Sequence, residues 1–393
     1  MEYNPFLPEV RENPYPYFAY LREHAPVYQV PGAGFWAVSR YDDVLSIVKN
    51  PHLFSSTIIV AGLVGDLQPW SPEAPAMIAI DPPDHTRLRK LVNRAFAPRR
   101  IAGLEMHLRD VVQQLLDSMA AQGECDLVRD LAVPLPSIAI AELLGVPPEQ
   151  RYDFKRWATD MVNAMNGTAL TNEDRAQIRQ SHADFRAYFQ NAIENCRTRP
   201  GDNLLSDLVR AEEENQTLTS EEILSLAILL IGAGNETTTN LLGSAVLALF
   251  HNPEELAKVR ANPSLVPRLV EEALRYDSPV QVWPRQAMQE VEIAGTTLPA
   301  GSMIMVMFAS ANHDEHKFPD PERFDILRNT EGHVAFGFGI HFCLGAQLAR
   351  LETRVALEGL LTRFPRLSRA DAPATRIVNP FFRGLAALPL VVG

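Results

Sequence analysis

From Leu224 to Phe250 the chain begins Leu-Ser-Leu-Ala-Ile-Leu-Leu-Ile-Gly-Ala-Gly-Asn-Glu-Thr-Thr-Thr-Asn-Leu-Leu, a helical stretch whose apolar residues occupy every face. A surface helix would show one apolar stripe, so this pattern demands burial at the centre of a large domain. The unbroken apolar run ends before Asn235, short of the roughly 20 residues a bilayer requires, and a membrane span is rejected. With 393 residues, 46% of them hydrophobic and 21% charged, the chain can bury a core large enough to surround such a helix. Gly232 and Gly234 each cost a helix about 1 kcal/mol relative to Ala, so the pair points to close approach of something bulky. Glu236 is equally unexpected there, because buried acids are rare unless paired or functional. The neighbouring Thr237, Thr238 and Thr239 can bend a helix by hydrogen-bonding back to its carbonyls.

Near the C-terminal end, Phe336-Gly337-Phe338-Gly339-Ile340-His341-Phe342-Cys343-Leu344-Gly345 sets one cysteine in a glycine-punctuated, otherwise apolar loop. A lone cysteine is usually a small buried hydrophobe. Here Gly337, Gly339 and Gly345 allow backbone conformations barred to residues with a Cβ, so the loop can curl and aim amide N–H groups at the sulfur. Ala346 to Glu352 are good helix formers, which places Cys343 just ahead of a helix N-terminus whose dipole favours an anion. That is how a chain builds a thiolate ligand.

Other stretches carry charge in suggestive places. Glu272 and Arg275 lie three apart in a helical run from Leu265 to Tyr276, which puts them on one face; exposed, such a pair contributes only about 0–1 kcal/mol. Pro321-Glu322-Arg323-Phe324 follows later. In Asp81-Pro82-Pro83-Asp84-His85-Thr86-Arg87-Leu88-Arg89, prolines end an extended stretch and a helix begins, with His85 and Arg89 facing the same way. Arg87, Lys90, Arg94, Arg99 and Arg100 form a basic patch in an acidic chain, which in itself is an ordinary solvated helix face.

Together these stretches resemble the cytochrome P450 superfamily, of the soluble bacterial type. Its cysteine-loop pattern, Phe-x-x-Gly-x-His/Arg-x-Cys-x-Gly, is met by Phe336, Gly339, His341, Cys343 and Gly345, and its Ala/Gly-Gly-x-Asp/Glu-Thr by Ala233 to Thr237. The resemblance implies a mainly α fold with a minor β region, one domain over residues 1–393, and haem b held between the central helix and the cysteine loop with its following helix. Cys343 is then the iron ligand, whose electron donation favours O–O cleavage. Glu236 and Thr237 are the acid–alcohol pair that passes protons to dioxygen. His85, Arg89, Arg285 and His341 meet the propionates, for which arginine's planar fork is suited. Phe336, Gly337, Ala233 and Gly234 also contact the cofactor. Glu272, Arg275 and Arg323 form a buried network beneath it, where removing one member costs about 3–5 kcal/mol.

The same resemblance implies a monooxygenase that hydroxylates or epoxidises a small molecule with one atom of O2, using electrons from an acidic ferredoxin or flavodoxin and its reductase. The basic patch would dock that partner by charge complementarity. Its pocket would draw on residues 58–64, Leu229, Ala233, Val280, Val282, Trp283, Phe381 and Phe382, mostly apolar and without a charge clamp. That lining favours a neutral lipophilic substrate, and small residues at Gly232 and Ala233 suit a terpenoid, steroid, macrolide or fatty-acyl compound.

A net charge of −12 disfavours nucleic acid as a partner. Met1 to Phe6 have neither a basic nor an apolar signal region, so a cytoplasmic enzyme without membrane anchor is expected. Cys125, Cys196 and Cys343 are far apart and odd in number, giving neither a disulfide framework nor a CxxC site, and the first two read as structural. Patterning predicts helices over 14–25, 104–121, 154–162, 173–197, 203–215 and 253–260, with strands at 26–30, 35–38, 291–293 and 303–308. Three rival functions remain: a peroxide-driven haem-thiolate peroxygenase, for which the acid–alcohol pair is superfluous; a noncatalytic haem sensor or electron carrier; and a Cys343–His341 hydrolase, whose tight loop places the imidazole poorly.

Overall fold

The computed structural model describes residues 1–58, 67, 69–96, 98–121, 123–165, 170–213 and 216–392. The chain is mainly helical, with small sheets. Most predicted helices form, their ends within three residues of expectation in Tyr15–His24, Glu105–Ala120, Arg151–Met165, Asn172–Thr198, Pro253–Ala261 and Val266–Tyr276, while Ser220–His251 starts four residues earlier and Ala346–Arg363 runs eleven residues further than expected. Two expectations change. The helix predicted over 203–215 is only Leu204–Arg210, because Ala211 turns to extended backbone and leads into a two-stranded hairpin, Glu212–Glu213 with Gln216–Thr217. The strand predicted to run to Phe308 stops at Val306, and Phe308–Ala311 is a helical turn.

Two compact units emerge. The first comprises Met1–Ser55, Glu105–Pro134 and Thr237–Gly393. Its main sheet has five strands in the order Val27–Gln29, Phe35–Val38, Met303–Val306, Trp283–Ala287, Phe54–Ser55, antiparallel except where Met303–Val306 runs beside Phe35–Val38. Side chains alternate across a strand, and here both faces are covered. Phe35, Ala37 and Met305 pack with Phe18, Leu21 and Val282 on one side. Val38, Ile304 and Val306 pack with Val44, Ile47 and Ala287 on the other. Burial on both sides explains why Met303 to Val306 is uniformly apolar rather than alternating.

Helices Val266–Tyr276 and Glu105–Ala120 both pack on Ala346–Arg363 in the same unit. Gly359 permits the second approach, since a Cβ there would stand 2.8 Å from Val112 Cγ1. Arg109 and Arg354 then cross-link Glu105 and Glu358 along the seam, with Arg109–Glu358 at 2.7 Å and Arg354–Glu105 at 2.8 Å.

The second unit comprises Ser56–Leu104 and Leu135–Glu236. Asn172–Thr198 starts at a capping box in which the Asp174 amide donates to Thr171 Oγ1 and the Thr171 amide to the Asp174 carboxylate. It packs along Arg151–Met165 through Phe185, Phe189 and Trp157, all at most 4% exposed. Helix Asp84–Ala95 buries His85, Leu88, Leu91, Val92 and Ala95, the three-and-four spacing of a single face. The long helix Ser220–His251 belongs to this unit through Glu236 and to the first unit from Thr237. Among the described residues no helix is long and apolar enough to cross a membrane.

Candidate active site

The cysteine loop folds as a tight curl. Gly337 and Gly339 have φ of 69° and 71°, the left-handed region that penalises a Cβ. A Cβ on Gly339 would also stand 2.6 Å from the Val48 carbonyl oxygen. Gly345 does not share this role: its φ is −84° and the space beside it is open. After a single turn at Gly339–His341, the Cys343 amide donates to the Phe336 carbonyl at 2.9 Å and closes the loop. Cys343 is half-buried, two residues before the Gly345 cap of Ala346–Arg363.

Beneath the loop's helix lies the expected charge network, with one correction. Glu272 and Arg275 are fully buried and joined by two hydrogen bonds of 2.8 Å, a forked pair. Arg275 also donates to the carbonyls of Asn312, Pro321 and Arg323. Arg323 thus joins through its main chain, while the residue is exposed. The second guanidinium on Glu272 is that of Arg328, with Nε at 3.4 Å, because the chain after Pro321 turns and delivers the arginine five residues later.

The central helix is buried along most of its length but opens in one strip. Leu229 and Leu230 are half-buried, Ala233 is exposed, and Gly234 and Thr237 are half-buried. Residues 229, 233 and 237 are four apart and share a face. Thr238 and Thr239 are buried, as helix packing requires, and Thr239 Oγ1 donates to the Ala132 carbonyl at 2.8 Å. Glu236 is 7% exposed. Asn235 turns away and accepts from Ser137 Oγ at 2.8 Å. Gly234, expected against the cofactor, has a nearer reason to lack a side chain: a Cβ would stand 2.5 Å from Ile140 Cδ1.

A thiol at the end of a glycine-turned loop and a central helix with an open strip of small residues are two marks of one enzyme family, and comparison decides the matter. Residues 7–379 match the family model described as Cytochrome P450. The chain belongs to the cytochrome P450 family. It is 43% identical to the P450 CYP109Q5 from Chondromyces apiculatus, whose structure superposes with a TM-score of 0.93 over 99% of this chain and 98% of that one. The structure of CYP109E1 from Bacillus megaterium in complex with corticosterone is 36% identical, with a TM-score of 0.90, covering 98% and 99% of the two chains. A vitamin D(3) 25-hydroxylase from Pseudonocardia autotrophica is 40% identical over 390 residues, 97% of this chain and 94% of the relative. Other relatives are named monooxygenases, and the chain is an oxidoreductase of the P450 class.

Haem b is the cofactor of a P450, and the donor set suits it. Cys343 would offer its sulfur to iron. Arg285 is 5% exposed on a strand whose neighbours Trp283 and Ala287 pack in an apolar cluster, and a guanidinium so placed suits a carboxylate such as a propionate. On Asp84–Ala95, His85 is 1% exposed with Arg89 half-buried one turn on. Burial, then the charge of Arg89, pushes the His85 pKa down to about 4, so its ring is neutral near pH 7. His341 is half-buried in the loop itself.

Among the residues assigned to the substrate, Val280 pairs with Phe382 in an antiparallel bridge, and the Trp283 and Phe382 rings stand 6.0 Å apart. The Gln281 amide donates to the Phe381 carbonyl at 2.8 Å. Val282 is a correction: it is 2% exposed and packed with Phe18, Phe35 and Met305, so its side chain serves the core. Residues 59–64 lie outside the described residues. Sequence reasoning missed Arg328 and also Glu271, His333 and Arg350, which meet one another beside the loop. Nothing local announces them, since Glu271 and Arg350 are 79 positions apart.

Proposed function

We propose that this P450 is a haem-thiolate monooxygenase for neutral lipophilic small molecules such as steroids or macrolides, with Cys343 as iron ligand and Glu236 and Thr237 as the proton relay. The curl that presents a half-buried Cys343 ahead of a helix N-terminus carries the reading. When bound, haem supplies the redox chemistry that puts one atom of dioxygen into a C–H or C=C bond and releases the other as water. The protein's part is holding, orienting and protonating. The N-terminal field of Ala346–Arg363 favours the Cys343 thiolate. Arg285, His341, His85 and Arg89 would hold the propionates. The Glu236 carboxyl takes up protons and hands them to the Thr237 hydroxyl, which faces the open strip with Ala233. Val280, Phe381 and Phe382 offer apolar contact that orients a substrate. The steroid class is supported by the relative bound to corticosterone and by the vitamin D(3) 25-hydroxylase.

The dithionite-reduced holoprotein with carbon monoxide should show thiolate-type absorption, which Cys343→Ser should abolish. Corticosterone should shift the ferric spectrum on titration. Thr237→Ala should divert most electrons to hydrogen peroxide; full coupling in that variant contradicts the relay.

We further propose an acidic ferredoxin or flavodoxin as electron donor, docking on the basic patch that follows His85. Arg87 pairs with Glu222, and Arg100 with Asp202 and Asp207. Lys90, Arg94 and Arg99 stand exposed. Lys90→Glu with Arg94→Glu should slow reduction by an acidic ferredoxin roughly tenfold at low salt, an effect that shrinks as salt rises.

A further inference from the structure

Glu271 precedes the network acid Glu272 by one residue, and the helix, turning about 100° per residue, carries its carboxylate away from that network. It accepts two hydrogen bonds from Arg350, Nε to Oε1 at 2.6 Å and Nη2 to Oε2 at 2.9 Å. His333 Nε2 lies 3.0 Å from the same Oε2. His333 Nδ1 accepts the Ala335 amide at 3.3 Å, so the proton sits on Nε2 and points at Glu271. Burial pushes the Glu271 pKa up, but the hydrogen bonds from His333 and Arg350 outweigh it and bring it down to about 2, leaving a carboxylate. Arg350, fixed by this fork, lies with its guanidinium carbon 4.5 Å from the centre of the Phe336 ring. Phe336 is the residue whose carbonyl accepts the Cys343 amide.

We propose that Glu271 is a positioning residue for the cysteine ligand, acting through Arg350 and Phe336, with His333 bracing the carboxylate; this rests on the reading of Cys343 as iron ligand. The fork sets the plane of the guanidinium, the guanidinium holds the ring by cation–π attraction, and the ring fixes the carbonyl that closes the loop. The role needs a planar cation. Lysine at 350 keeps the charge but loses the fork.

The test compares holoprotein of the wild type, Glu271→Gln and Arg350→Lys, reduced with dithionite under carbon monoxide, and measures the lifetime of the thiolate-type band and the ferric–ferrous potential. Both variants should lose that band at least several-fold faster than the wild type. In Glu271→Gln the potential should also move positive, because an uncompensated guanidinium remains over Phe336. Arg354→Lys, on the same helix but paired with Glu105 and Glu358, should match the wild type in both readouts. Where Glu271→Gln does not accumulate, Glu271→Asp, one methylene too short for the fork, carries the same measurement. Wild-type band lifetime and potential in both variants would overturn the proposal while leaving Cys343 as ligand. Absence of thiolate-type absorption in the wild type would instead remove the ligand assignment, and the proposal with it.

Discussion

Single side chains show how differently this fold treats its buried acids. Glu272 is paired by a fork and Glu271 by three hydrogen bonds, but Glu352, 1% exposed on Ala346–Arg363, has an Oε1 with no hydrogen-bond partner among the described residues. Burial alone pushes its pKa up to about 8. The folded protein therefore keeps a proton that the unfolded chain gives up near pH 4.5, and stability falls as pH rises from about 4.5 to 8. Glu352→Gln should flatten that slope, so that the melting temperature at pH 8.5 exceeds the wild type's, the gap closing by pH 5; thermal denaturation across that range checks it. The Glu272–Arg275 pair was legible in the sequence because three-residue spacing on a helix is a local fact. Arg328 was not, because the loop path that delivers it to Glu272 instead of Arg323 depends on carbonyls gathered by Arg275 from positions up to 48 residues away.

Elements show what glycine spacing can and cannot tell. The curl of the cysteine loop follows from residues that tolerate positive φ, and Gly337 and Gly339 behave as their spacing suggests. That Gly339 faces the end of helix Tyr41–Lys49, and Gly234 faces Ile140, are matters of who packs there, and the same residue type in Gly345 answers to neither demand. Gly339→Ala therefore meets both a disfavoured φ and the Val48 carbonyl, costing on the order of 1–3 kcal/mol. Its holoprotein should release haem faster to an apomyoglobin acceptor, while Gly345→Ala should resemble the wild type. The central helix was predictable as buried from its all-round apolarity, but the open strip at Leu229, Ala233 and Thr237 was visible only once its other faces were covered.

Across the whole molecule the first unit closes its chain around a buried acid. Asp277 accepts from Tyr15 Oη at 2.5 Å, from Ser244 Oγ at 2.9 Å and from Arg383 Nε at 2.7 Å, with Arg376 at 3.7 Å. These groups come from helix Tyr15–His24, the central helix and the C-terminal segment. Burial pushes the Asp277 pKa up, but Arg383 and then Arg376 pull harder, with Tyr15 and Ser244 adding hydrogen bonds, and bring it down to about 2. The stabilisation is present above the unfolded value near 3.8 and is lost as pH falls from about 4 through 2. Asp277→Asn should cost about 3–5 kcal/mol near pH 7, by stranding Arg383, and show a shallower acid transition in urea titrations. Composition, the apolar central helix and the spaced motifs at Ala233–Thr237, Glu272–Arg275 and Phe336–Gly345 determined by themselves the mainly α fold, the family and its haem, because each depends on residues within one or two turns of chain. Only the tertiary structure decided which arginine completes the Glu272 network, that Val282 belongs to the core, and which distant groups converge on Asp277 and Glu271. Those contacts bridge tens to hundreds of positions, and their partners are chosen by packing, which no local pattern encodes.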